Sequence, residues 1–165
     1  MALSSLGIFH TVIGVVAIIA AFVSYIKHGK IHLSLTSGKV YAYFTIVTSL
    51  TALGISKHGG FNPGHIFSLF ILFLVVIAFF LHSKKTGLNS FRYIENFLLT
   101  LSFFLSWVPT INESFTRLPT AHPLASGPGD PVIAKTLLLI FVLFIIGSIL
   151  QFLKQKKANH LPEQK

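Results

Sequence analysis

Apolar residues fall in five blocks along the chain, at about Leu6 to Ile26, Gly38 to Ile55, Pro63 to Leu81, Phe91 to Ile111 and Val132 to Leu153. A helix of roughly 20 apolar residues crosses the hydrocarbon core of a bilayer, and every block approaches that length. The first three connections are short, as expected between antiparallel neighbouring helices. The pattern predicts an all-α polytopic membrane bundle, five transmembrane helices in one domain over residues 1–165. The segment Asn112 to Pro131 breaks the pattern. It holds four of the seven prolines, two glycines and two of the four acidic residues. Such a stretch is not expected to stay helical in lipid, so it reads as an outer loop over 112–131 and, by its length, a candidate lid.

Helical phase indicates which faces point inward. In the first helix His10, Gly14, Ala17, Ala21 and Ser24 follow the spacing that lines one face. Gly38, Tyr41, Thr45, Thr48 and Ala52 do the same in the second. Small residues on one stripe let membrane helices approach closely. The fourth helix carries a polar stripe of Glu95, Ser102 and Ser106, with Asn96 and Thr100 alongside. The third and fifth helices are apolar nearly all round, which predicts lipid contact and a core built mainly from helices one, two and four.

Composition strengthens the membrane reading. Charged residues make up 10% of the chain against 53% hydrophobic, and the mean hydropathy is +0.77. A water-soluble domain carries about a quarter charged residues. The first block has no Lys or Arg ahead of it and is long for a signal core, so it reads as a retained helix. Cysteine is absent, which excludes disulfides, thiolate metal sites and cysteine nucleophiles.

The formal charge of +9 is arranged as a topology signal, not as a nucleic-acid surface. Ten of the thirteen basic residues, including Lys27, Lys30, Lys39, Lys84, Lys85, Arg92 and the tail lysines, lie on one side of a five-helix arrangement. Lys57, Arg117 and Lys135 occupy the other. An excess of Lys and Arg marks the cytoplasmic side. The N-terminus is therefore expected outside and the C-terminus inside a cell inner or cytoplasmic membrane, with membrane lipid as the first partner.

Histidines carry the candidate chemistry. There are eight, several of them at helix ends. His10 and His65 open helices one and three on the outer side, with His122 in the outer loop and Glu113 closing helix four. His32 precedes helix two and His82 ends helix three on the inner side. Two chemistries suit these sets. His10, His65, His122 and Glu113 supply the nitrogen and oxygen donors of a Zn, Cu or Fe site. Alternatively His10 with His65, and His32 with His82, are axial pairs for a b-type haem near each face. On helix three His65 and His82 stand 17 residues apart, about 100° out of phase. The blander reading is that imidazole is amphipathic and sits comfortably at headgroup level; it applies most simply to His28, His58 and His160. Arg92 precedes Glu95 by three residues and is expected to pair with it, leaving a proton relay as the alternative role for Glu95. Arg117 pairs with Glu113 if the helix continues that far.

No phosphate-binding glycine loop, serine elbow, metalloprotease helix or aspartate pair is present, and no catalytic residue is assigned. The arrangement of His10 with Gly14, the basic turn with His32, Gly38-Lys39-Val40-Tyr41, His65 and the Glu113 to Pro119 segment resembles a widespread bacterial family of small multi-pass membrane proteins grouped as a domain of unknown function. The resemblance covers about residues 7–120. It implies the multi-pass topology and the importance of His10, His32, His65 and Glu113. In that family the second histidine lies closer to the Gly-x-x-Tyr unit than His32 does, and helix four begins with a histidine where this chain has Tyr93 and Glu95. The function expected from the residues is a histidine-based metal or haem site near the outer face, open to redox chemistry. The alternatives are a small-molecule or proton-coupled carrier, with a small-molecule or quinone-like ligand, and an accessory subunit of a membrane complex. A homo-oligomer suits any of the three.

Overall fold

The computed structural model describes residues 4–55, 60–84, 89–119 and 121–160. Five helices follow one another: α1 Ser5–His28, α2 Thr36–Ala52, α3 Pro63–Ser83, α4 Asn89–Arg117 and α5 Pro131–His160. No strand occurs among the described residues. Helices α1, α3, α4 and α5 are long and apolar enough to cross a membrane. With 17 residues α2 is shorter, about 26 Å at 1.5 Å per residue. The chain divides into two compact units, Met1–Ser102 and Phe103–Lys165.

In the first unit, local chemistry sets the helix ends. The Ser4 hydroxyl accepts from the Gly7 N–H at 3.1 Å and starts α1. Gly29 ends it with φ 69, a left-handed cap whose N–H donates to Tyr25 O. Helix α3 starts on the Asn62 side chain with Pro63 in the first turn, and His65 completes the capping box. Helices α1 and α2 pack together, and so do α2 and α3. The predicted inner stripe of α1 is the buried one: Ala17, Ala21 and Ser24 are buried, and His10 and Gly14 half-buried. On α2 the same holds for Gly38, Tyr41 and Thr45.

The core differs from the expected one in its use of α3. One face of α3 is buried through Ile71, Leu74, Val75 and Ala78, while Phe70, Phe73, Val76 and Phe80 are exposed. An apolar helix gives no polar stripe to mark its inner face, so the sequence pattern passed over this one. From α4, Glu95, Asn96, Leu99, Thr100 and Ser102 are buried. Hydroxyls tie this stretch to the other helices, with Tyr41 and Ser102 oxygens 2.7 Å apart and the Tyr25 hydroxyl donating to Thr100 at 2.9 Å.

In the second unit α4 runs further into the segment 112–131 than expected. Residues 112–117 are helical, so the loop begins at Leu118. This stretch contains neither Pro nor Gly, and the helix stops where Pro119 disfavours helical geometry for the residue before it. Glu113 and Arg117 pair across that last turn. The loop is hydrogen-bonded at both ends. The Ala125 N–H donates to Phe115 O at 2.9 Å, and Ala125 packs with Ile111 and Ile133 beside Trp107 and Phe115. Asp130 caps α5 by accepting from Val132 N–H and from the Ser126 amide and hydroxyl. Those donors hold its carboxyl below the usual carboxylate range. Beyond the cap, α5 exposes most of its apolar side chains.

Candidate functional site

The two predicted histidine pairs have different surroundings. At the end where α1 and α3 begin, the two rings bond to the last turns of α2 and to the residues just past it. His10 Nδ1 donates to Thr48 O at 3.1 Å and lies 3.2 Å from Thr51 Oγ1. His65 is buried, accepts from the Asn62 N–H on Nδ1 at 3.3 Å and donates from Nε2 to Ile55 O at 3.2 Å. Both ring nitrogens of His65 are thus engaged with backbone, and ligation would break a cap. Glu113 and His122 lie in the second unit and are exposed, Glu113 paired with Arg117. Among the described residues no three His, Asp or Glu side chains form a group able to hold a metal ion. The donor sets present among the described residues do not fit a metal centre. Lys57, His58, Lys85 and Lys165 lie outside the described residues, as does the side chain of His160.

At the opposite end of the first unit, His32 and His82 line one cavity of about 300 Å³ together with Lys30, Ser34, Arg92, Glu95 and Asn96. Three parts of the chain build it. The turn after α1 supplies Lys30, His32 and Ser34, the last turn of α3 supplies His82, and the first turns of α4 supply Arg92, Glu95 and Asn96. The turn is held by Ser24, whose hydroxyl donates to Lys30 O at 2.9 Å and accepts the His32 N–H at 3.2 Å. Close backbone contact holds it from the other side. A Cβ on Gly38 would lie 2.2 Å from His32 O, so only glycine lets α2 start against this turn.

Glu95 is the hub of the cavity. It is 3% exposed, and it accepts from His82 Nδ1 at 2.6 Å and from Arg92 Nη1 at 2.7 Å. The expected Arg92–Glu95 pair is therefore present, and His82 joins it from another helix. With the Nδ1 proton directed to Glu95, His82 Nε2 lies 3.3 Å from the Ser34 hydroxyl, which can donate to it or accept from it. His32 Nδ1 accepts the Ser34 N–H at 3.3 Å, which favours the neutral ring. Burial first, then the charge of Lys30, hold the His32 pKa below its usual 6.5, with Glu95 acting weakly in the opposite sense. Burial likewise lowers Lys30, against the pull of Glu95.

The charges decide what this cavity suits. Lys30 and Arg92 oppose a single carboxylate, and protonation of either imidazole adds to the positive excess. A metal cation would meet net repulsion there, and a haem macrocycle would exchange apolar walls for ionic ones. An anion is complementary to it. Lys30, Ser34 and Asn96 escaped the sequence reading as site residues. Lys30 reads as a topology charge and Asn96 as packing until the turn brings them against α4. Comparison with family models, with curated proteins and with solved structures found no match.

Proposed function

We propose that this is a five-span membrane protein that binds a small organic or inorganic anion at the cytoplasmic end of its first unit, coupled to proton uptake, as a carrier does. The observation that carries the reading is the cavity in which Lys30, Arg92, His32 and His82 surround Glu95. Anion entry adds negative charge beside His32 and Lys30, whose protonated forms burial disfavours. The ligand and the proton then stabilise each other, so each strengthens the binding of the other. His82 and Glu95 provide a hydrogen-bonded pair through which a proton leaves or enters the cavity.

The five-span topology is supported by how the ends meet. The start of α1 bonds to the end of α2 through His10 and Thr48, and the start of α3 bonds just past that end through His65 and Ile55. The end of α1 and the turn before α2 join at Ser24. If α1 and α3 both cross, α2 has to bring the chain back between them. The basic residues at the cavity end favour its facing the cytoplasm, and a reporter fused after Lys165 should be active only there.

The test of function uses purified protein and a panel of small carboxylates together with inorganic phosphate. At least one should bind, more tightly at pH 5.5 than at pH 8, with proton uptake seen as a dependence of binding heat on buffer. Binding that is absent throughout the panel, or that strengthens with rising pH, would refute the reading. A Soret band or stoichiometric transition metal in the purified protein would restore the metal-site alternative.

A further inference from the structure

A second groove lies between the end of α1 and the start of α2. Its volume is about 400 Å³, and its lining changes character along its length. Ala20, Val23 and Val40 make one part apolar; Lys27, His28 and Ser37 make the other part polar. Lys27 and His28 occupy the last turn of α1. No acidic residue lines the groove.

We propose that this groove holds an anionic phospholipid, its phosphate against Lys27 and His28 and the start of one acyl chain along Ala20, Val23 and Val40. Depth agrees with that occupant. Ala20 and Lys27 are separated by about 10 Å along the helix axis, the span from upper acyl chain to headgroup in a bilayer leaflet. Charge agrees too, since Lys27 and His28 meet no carboxylate within the groove. Basic pockets between membrane helices on the cytoplasmic side recognise such headgroups. Helix α2 adds to the polar end: its N-cap Leu35 offers no side-chain acceptor to the first turn, and that turn contains no acidic residue. A free phosphate would make no use of the apolar part. A zwitterionic headgroup would set its own ammonium against Lys27.

This inference rests on the protein lying in a membrane and is independent of the anion cavity, whose residues are different. The experiment is lipid retention by native mass spectrometry. Protein in detergent is titrated with phosphatidylglycerol or phosphatidylcholine of matched chains. Wild type should retain one phosphatidylglycerol preferentially, and a Lys27→Ala/His28→Ala variant should retain it about tenfold less. Both side chains are exposed, so an unchanged circular dichroism melt is expected and shows that folding is not the cause. A Val23→Asp variant should weaken retention through the apolar part. Equal retention of the two lipids overturns the proposal. So does loss of retention in a Lys154→Ala/Lys156→Ala/Lys157→Ala variant with none in the groove variant. Displacement of the lipid by millimolar inorganic phosphate would also overturn it, as the mark of a free-phosphate site.

Discussion

Each end of the first unit carries one of the two candidate histidine pairs, and the two ends treat them differently. Where α1 and α3 begin, His10 and His65 direct their rings to Thr48 O and Ile55 O, and His65 also receives the Asn62 amide. Where α3 ends, His82 meets a buried carboxylate and His32 stands beside Lys30 in a cavity. Imidazole has the same hydrogen-bonding capacity at both ends. The difference lies in the neighbours: backbone carbonyls near the end of α2 need donors, whereas the cavity gathers side chains that carry charge. An ionisable residue at membrane depth is therefore assigned a role by the groups around it, since only charged or titratable neighbours make its proton consequential.

The sharpest way to break the comparison is to collapse one end. Gly38→Ala would drive a Cβ into the backbone of His32, 2.2 Å from its carbonyl oxygen. It should cost about 3 kcal/mol or more and abolish anion binding, read by thermal melt and calorimetry. Gly14 is the matched control. A Cβ there meets Thr48 Cγ2 at 3.5 Å, an ordinary contact, so Gly14→Ala should stay within about 1 kcal/mol of wild type, while the longer Gly14→Leu should disturb the α1–α2 contact.

Substitutions at the two ends should then separate stability from binding. His65→Ala removes an N-cap partner and a donor to Ile55 O. The expected loss is about 1–2 kcal/mol of stability, with anion affinity unchanged. Arg92→Gln should weaken anion binding about tenfold, the scale of one charge-assisted hydrogen bond. A variant at the His10–His65 end that alters anion affinity as strongly as Arg92→Gln would erase the contrast.

The pH dependence sharpens it further. Folding holds the His32 pKa below 6.5, so below that pH the unfolded chain binds more protons than the folded one. The His32 contribution to stability is then present above pH 6.5 and lost as pH falls through its folded value. His32→Asn should flatten that acid limb in melts without ligand; an unaltered limb would show that His32 is not the group responsible. The smallest effect belongs to the second unit. The Glu113–Arg117 pair is exposed, and Glu113→Gln should cost no more than about 0.5 kcal/mol, with no change in binding.

The sequence by itself determined the number and approximate limits of the helices, because apolar blocks are local signals. It also determined the inner faces of α1 and α2 and the Arg92–Glu95 pair, because small-residue stripes and i, i+3 spacing translate directly into helix geometry; the Glu113–Arg117 pair followed only if the helix continued that far. It placed residues 112–117 in a loop on the strength of polarity, whereas α4 continues to Arg117 because no Pro or Gly stands between Asn112 and Leu118. Only the tertiary structure decided which histidines share surroundings. His82 and Glu95 lie on different helices, and Lys30 faces them only because the turn after α1 is bonded to Ser24 and crosses against Gly38. The buried face of α3 came from packing as well, for an apolar helix carries no polar contrast to mark its inner side. Spacing along one helix fixes which residues are neighbours on that helix; the meeting of charges from three separate segments depends on how close their backbones can come.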